Sequence, residues 1–434
     1  MRLAHGRPRA RAEAMPNLYQ DTADPAPPAP PLDADVRADV AVVGGGITGL
    51  STALHLARSG AAVVLLEAEE LGFGASGRNG GQVNPGLKLD PDTVERDFGT
   101  DLGGRMNALA ASAPALVFEL VTRYGIACDA RQNGTLRAAV HARHAAAIRR
   151  TCVQLERRGA PVELLEGDAL VRATGTDRYA CALLDRRGGD LNPLMYARGL
   201  ARAAIEAGAR VHSQSRARGM RRVDGGWRLD AGRATVTAKH VVLATNGYTD
   251  RLWPGLRRTV VPLFGAIAAT APLADAARRI ILPDRPVLYE SGNITVYYRI
   301  DSRHRLLIGG RGPMREIDTP AAIPHLTRYA AKLWPFLEGI EWTHAWGGRL
   351  AMTRDHYPHV HEPAPGVLIC LGYNGRGVAM ATAMGRSLAD RMANPSAAFD
   401  MPLTPLVPIP VHALWPVAVK AAILSGRLRD LFGI

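Results

Sequence analysis

Cysteine and lysine are both scarce in this chain of 434 residues. The four cysteines, Cys128, Cys152, Cys181 and Cys370, form no CxxC pair, and their separations suit no zinc ligand set. A disulfide-stapled scaffold is excluded, and scattered thiols fit a reducing compartment. Of 53 basic residues only Lys88, Lys239, Lys332 and Lys420 are lysines. The remaining cations are arginines strewn along the whole chain. The net charge of +13 therefore reflects GC-rich codon usage more than a nucleic-acid patch, which would cluster its charge on one element. No nucleic-acid partner is expected. No apolar run approaches the ~18 residues of a membrane-spanning helix. The arginine-bearing N-terminus is followed by no apolar segment, so it is not a secretory signal. A cytoplasmic protein is the simplest expectation. With 47% hydrophobic residues, the chain can bury enough surface for two domains.

What is present begins late. Residues 1–37 combine an arginine-rich start with a proline-rich run from Pro25 to Pro31 and are expected to be a flexible leader, with Met1 or Met15 as its beginning. From Ala38 an apolar strand runs to Val43. A turn spans Gly44 to Gly49, a helical pattern covers Ile47 to Ser59, and a second apolar strand ends at Glu67. Near-continuous apolar runs of this kind belong to parallel strands buried on both faces. The same vocabulary returns in the helix Asn192 to Ala207, in the strand His240 to Thr245, and in the strand Gly366 to Leu371. The last of these enters Gly372-Tyr373-Asn374-Gly375-Arg376-Gly377 and then a helix from Val378 to about Met392. Thr135 to Val140 and Val287 to Ile308 instead predict antiparallel sheet, with a hairpin around Asp301-Ser302.

The sharpest motif is Gly44-Gly45-Gly46-Ile47-Thr48-Gly49, a GxGxxG between strand and helix with an acidic residue, Glu67, closing the next strand. That context is what a dinucleotide-binding turn requires. Gly44 permits the turn, Gly46 lets backbone approach a pyrophosphate at the helix start, and Gly49 lets helix and strand pack closely. Glu67 suits a ribose diol and would repel a 2′-phosphate. A second glycine-rich loop, Gly72 to Gln82, and the turn Gly372 to Gly377 favour a larger cofactor than a nicotinamide nucleotide, namely FAD.

The fingerprint, the loop Gly74-Ala75-Ser76-Gly77-Arg78-Asn79-Gly80-Gly81-Gln82 and the turn Gly372 to Val378, in that order, resemble the D-amino-acid oxidase/glycine oxidase/sarcosine oxidase superfamily of FAD-dependent amine oxidoreductases. The likeness is greatest to its gamma-glutamylputrescine oxidoreductase-like branch. It implies a mixed α/β fold, with a Rossmann-type FAD-binding domain built from discontinuous segments (38–125, 185–255 and 346–400). A substrate domain with a mixed or antiparallel sheet would take 126–184 and 256–345, followed by a tail, 401–434. It also implies FAD contacts from Gly44, Gly46, Ile47, Thr48, Gly49, Glu67, Ala68, Ser76, Asn79, Gly80 and Gln82. Ala217 would meet the adenine, and Gly375 and Val378 the isoalloxazine. Relatives that bind flavin covalently use a cysteine where this chain has Gly348, so the FAD is expected to be non-covalent.

The implied chemistry removes a hydride from the carbon beside a substrate nitrogen to flavin N5. Water then hydrolyses the imine, and the electrons pass to oxygen or another acceptor. The substrate would be a small amine or amino acid. Tyr297 and Arg299 share a strand face at a place where the branch carries similar residues. Arg299 either meets a substrate carboxylate or is paired within the sheet. Trp346 either borders the flavin or packs in the core. No dedicated general base stands out. His356, His359 and His361 flank Pro358, which disfavours a regular strand there. A loop beside the flavin or plain surface is expected there rather than a metal site. Two other activities share the fold, modification of transfer-RNA bases and electron delivery to a membrane quinone. For the latter, Trp415, Val417, Val419, Ile423 and Leu424 beside Arg427 and Arg429 would lie on lipid, against the alternative of a tail helix packed on its own domain.

Overall fold

The strand Val36–Val43 lies at the centre of the first sheet, between parallel neighbours Val63–Leu66 and Thr235–Leu243. Its buried valines and alanines leave both faces apolar, so both must be covered. Arg210–His212 extends the parallel order beyond Val63–Leu66, and Val367–Leu371 extends it beyond Thr235–Leu243. An antiparallel edge strand, His359–Ala364, and a hairpin of Gly219–Val223 and Gly226–Asp230 complete eight strands. A computed structural model supplies this description for residues 17–292, 295–394, 396 and 398–432, with side chains described as far as 426.

Helices Ile47–Arg58, Pro193–Glu206 and Gly377–Ala393 cover one face, together with the long helix Pro91–Arg123. Ile47–Arg58 and Gly377–Ala393 touch at Gly385, where a Cβ would overlap the Ser51 side chain and stand 2.8 Å from Thr48 O. Ser51 Oγ donates to Thr382 O at 2.8 Å across the same crossing. This contact fixes the two helix starts side by side.

The second sheet also has eight strands, in the order Trp342–Met352, Val261–Thr270, Leu306–Arg311, Tyr297–Ile300, Val287–Ser291, Thr135–Ala139, Cys181–Asp185 and Val162–Leu165. One face, with Leu288, Tyr298, Ile308 and Ala268, packs against Trp334 and the helix Pro324–Leu333. The opposite face carries Tyr297, Ile267 and Trp346, which the register sets in one row through Gly309. The hairpin about Asp301-Ser302 forms, but Val287–Ser291 joins Thr135–Ala139 in parallel, so the sheet is mixed rather than antiparallel there. A domain boundary at 346 would cut through Trp342–Met352, which pairs along its length with Val261–Thr270.

Within residues 17–37 the expectation of a flexible leader is corrected. Asn17 caps a short helix, Leu18–Thr22, with a complete capping box, and Leu18 and Tyr19 are buried against Ile267 and Trp346. Farther on, Leu32 N donates to Ser215 Oγ and Ser213 N to Ala29 O, so the proline-rich run is strapped to the first sheet. Buried apolar anchors at both ends hold a segment whose composition alone reads as loose. The arginine-rich start and the choice between Met1 and Met15 lie outside the described residues.

One further expectation changes. His359 and His361 lie in a strand that starts directly after Pro358, because the proline precedes the first ladder position, and its register shifts only after His361. His359 meets Asp355 at 3.0 Å and His361 meets Thr404 O at 2.7 Å. The tail forms the helix Trp415–Phe432, which docks by Trp415 stacked on Phe264 while Val417 and Leu424 face outward. The side chains of Arg427 and Arg429 lie outside the described residues. No helix among those described is long and apolar enough to cross a membrane.

Gly385→Ala tests the helix crossing. The added methyl is expected to destabilise the protein by about 1–3 kcal/mol through overpacking, read as a lower midpoint in chemical denaturation.

Candidate active site

The fingerprint turn forms because Gly44 takes a φ of +112°, which L side chains avoid, directly after the central strand. A Cβ on Gly49 would overlap Gly44 O, so only glycine lets the first helical turn sit against the loop. Glu67, at the end of the adjacent strand, accepts from Gly45 N at 2.6 Å and Glu69 N at 2.9 Å. Burial pushes its carboxyl pKa up, opposed by those amide bonds. Ser215 N donates to Glu67 O, which brings the segment leading to the buried Ala217 to the same end of the sheet as Glu67 and Ala68.

The loop after Glu67 is held by its own side chains. Ser76 Oγ accepts from Ile47 N at 3.0 Å. Asn79 Oδ1 accepts from Gly81 N, while its Nδ2 donates to Ala75 O and Ser76 O. Gln82 Nε2 reaches Leu288 O of the second sheet at 2.9 Å. At the other helix start, Asn374 Oδ1 accepts from Thr353 N, and Thr48 Oγ1 lies 2.6 Å from Tyr373 OH. That last bond joins the two helix N-termini, and neither N-cap residue offers a side-chain hydrogen bond.

Between these elements and the second sheet lies a cavity of about 200 Å³. Of the residues singled out in the sequence, Gly46, Ile47, Thr48, Ser76, Asn79, Gly80, Gln82, Gly375, Val378 and Tyr297 line it together. Gly44 and Gly49 lie behind it as packing positions. Glu67, Ala68 and Ala217 stand beyond it at the far end of the fingerprint turn. Gly348 lines it, and no cysteine does. Tyr297 sits where a Cβ on Gly80 would stand 2.6 Å from its ring, and one on Gly309 would overlap it. Burial pushes its phenol pKa up, so it stays protonated at neutral pH.

Arg299 and Trp346 do not line this cavity. Arg299 is 4% exposed in its side chain and donates to Asp190 Oδ2 at 2.6 Å, Gly80 O at 2.7 Å, Leu191 O at 3.2 Å and Tyr19 OH at 3.4 Å. Its donors face protein acceptors, so the substrate-carboxylate role is replaced by an internal ion pair. Desolvation works against its charge, but Tyr19 and Asp190 hold the guanidinium charged. Trp346 is 2% exposed, donates to Arg78 O and stands edge-on to Tyr19, so it is a core indole.

Sequence reasoning missed several lining residues. Asn246, whose Oδ1 accepts from Gly372 N, follows the carboxyl end of a parallel strand, the usual place for ligand contacts. Ile267, Arg349 and Leu350 come from the second sheet and carried no local signal. Among the described residues, no Asp, Glu, His or Lys lines the cavity.

Two uncapped helix starts meeting over a glycine-lined cavity at the carboxyl ends of parallel strands define a dinucleotide-binding flavoprotein fold. The chain belongs to the DAO family of FAD-dependent oxidoreductases, whose model matches residues 39–391. It is 32% identical to the gamma-glutamylputrescine oxidoreductase of Escherichia coli (strain K12), over 97% of this chain and all of that protein. It is 28% identical to the glycine oxidase of Geobacillus kaustophilus (strain HTA426), over 84% of this chain and 95% of that one. The crystal structure of glycine oxidase from Geobacillus kaustophilus superposes with a TM-score of 0.70 at 25% identity, covering 84% of this chain and 96% of that one. FAD is therefore the cofactor, and two helix starts whose N-cap residues supply no side-chain bond suit its pyrophosphate and ring carbonyls, although Ile47 N is already held by Ser76 Oγ.

Two predictions arise from this geometry. With Gly348 and no thiol at the cavity, acid precipitation is expected to release all the flavin into the supernatant; colour retained in the pellet would show a covalent link. Arg299→Met leaves Asp190 buried without its cation and is expected to destabilise by about 3–5 kcal/mol. Adding Asp190→Leu should recover most of that loss in the same denaturation assay.

Proposed function

We propose that the protein oxidises the carbon–nitrogen bond of a small amine, with a gamma-glutamylputrescine-like molecule as the first candidate. The observation that carries this reading is the absence of any carboxylate, histidine or lysine from the described lining of the flavin cavity, combined with cations that have no counter-ion there. Arg78 and Arg349 line it, and neither forms an ion pair among the described residues. Arg349 lies 4.4 Å over the Tyr248 ring, and its Nε is buried without a partner. Positive charge beside a bound amine lowers the amine pKa. Arg78 and Arg349 thus favour the neutral amine, whose lone pair assists hydride loss from the adjacent carbon.

FAD bound in this cavity would supply the hydride acceptor. Gly46, Ile47 and Ser76 would hold its pyrophosphate side, Glu67 its ribose, and Gly375 and Val378 its ring carbonyl. Ile267, Leu350 and Ala351 keep the reacting carbon in apolar surroundings, and Tyr297 offers a protonated hydroxyl to orient the nitrogen. No general base is required when the amine binds neutral. The name of the Escherichia coli relative supports the choice of amine. Four buried thiols support a cytoplasmic location.

The test is anaerobic bleaching of the flavin by a panel of amines, amino acids, glutamylated polyamines and 2-hydroxy acids, followed by admission of air. Bleaching by amines is expected, with a rate that rises with pH toward a plateau as the bound amine loses its proton. Bleaching by hydroxy acids alone would overturn the reading. The speed of re-oxidation in air then separates oxygen from another acceptor.

A further inference from the structure

A second cavity, about 350 Å³, adjoins the flavin cavity and has no role in the chemistry above. One row of the second sheet forms the floor of both. The register aligns Leu183, Arg137, Tyr289 and Tyr297, then Gly309 and Ile267, so these positions share a face. Tyr297 and Ile267 line the flavin cavity, while Leu183, Arg137 and Tyr289 line the second one. The opposite wall is shared in the same way. Asn84 and Asn374 face the flavin side, and their near neighbours Pro85 and Arg376 face the other.

The cations in this cavity divide into two kinds. Arg187 is paired with Asp185 at 2.6 Å, and Arg158 with Glu95 at 2.8 Å. Arg137 and Arg376 have no carboxylate partner among the described residues. Arg376 donates to Tyr289 OH at 2.7 Å and to Pro85 O, and its guanidinium lies 5.3 Å from the Tyr289 ring centroid. Those contacts aim it without neutralising it. Among the described residues Arg137 reaches only Ser291 Oγ, at 3.4 Å, and its buried Nε has no partner. Leaving a buried guanidinium nitrogen unsatisfied is costly, and a planar anion is its natural complement. Lys88, an exposed side chain outside this lining, senses the same charges: desolvation of its ammonium and then the like charges of Arg376, Arg137 and Arg311 lower its pKa to about 8.

We propose that this cavity binds the carboxylate end of the substrate through Arg137 and Arg376 while the amine end reaches the flavin cavity past Tyr289 and Tyr297. The inference rests on the amine-oxidation reading and narrows it to amines whose nitrogen is separated from a carboxylate by an extended chain. An α-amino acid, with both groups on one carbon, cannot span the two cavities.

The holoenzyme tests it with three probes: gamma-glutamylputrescine, putrescine, and glutarate as a non-oxidisable dicarboxylate that perturbs the visible flavin band. Arg137→Gln should raise the half-saturating concentration of gamma-glutamylputrescine about ten- to hundredfold, the usual worth of a charged hydrogen bond. The limiting rate of flavin reduction and the response to putrescine should stay within about threefold, the latter because putrescine has no carboxylate for Arg137 to bind. Glutarate should weaken in parallel, and Arg137→Lys, which keeps the charge, should restore part of both affinities. Equal effects on both amines, or no effect on either, would overturn the proposal. If neither amine reduces the flavin but Arg137→Gln still weakens glutarate, the carboxylate site stands and the amine-oxidation reading falls. If glutarate does not bind the wild-type holoenzyme, the carboxylate site falls.

Discussion

The ion pair between Arg299 and Asp190 joins the parts of this molecule that would otherwise be independent. Arg299 belongs to the second sheet, Asp190 precedes a helix of the first layer, Gly80 lies in the flavin loop, and Tyr19 comes from the leader. From the second sheet, one guanidinium bonds to the other three segments. Both charges are almost wholly buried, so each needs the other. Desolvation pushes the Asp190 pKa up and Arg299 opposes it. Because the pair lies directly behind Gly80, it fixes how closely the second sheet approaches the flavin loop, and hence the depth of the cavity.

Within that frame the second sheet has two unlike faces. One is an ordinary core around Trp334. The other carries a row that is apolar at Ile267, aromatic at Tyr297 and Tyr289, and cationic at Arg137. Strand alternation allows such a face without disturbing the core behind it. The leader helix covers the remaining part of the same face, with Tyr19 against Trp346. A chain beginning at the central strand would leave that indole and its neighbours exposed.

Much of the first layer was legible in the residues. The turn Gly44 to Gly49, Glu67 at the next strand end, the loop Ser76 to Gln82 and the turn ending at Gly375 each carry a local pattern, because backbone approaching a phosphate or ring demands glycine at fixed spacings. Tyr297 was found from strand parity and family likeness together. Arg299 shows the limit of parity. It shares the face of Tyr297 as expected, but the segment that reaches it, Gly189–Asp190, lies 109 positions away in sequence and pairs with it only in the folded chain. Arg137 and Tyr289 carried no signal, and Arg376, although inside the turn Gly372 to Gly377, gave no hint that it faces a second cavity.

The sequence by itself determined the cofactor, the parallel strands beside its glycine-rich turns and the absence of a cysteine at Gly348. These are properties of short segments whose backbone geometry admits few residue types. Tertiary structure decided which cations are neutralised and which remain free, that the proline-rich leader is docked, and that two cavities share one floor. Charge pairing and cavity continuity depend on residues far apart in the chain, and those distances are set only when the two sheets close on each other.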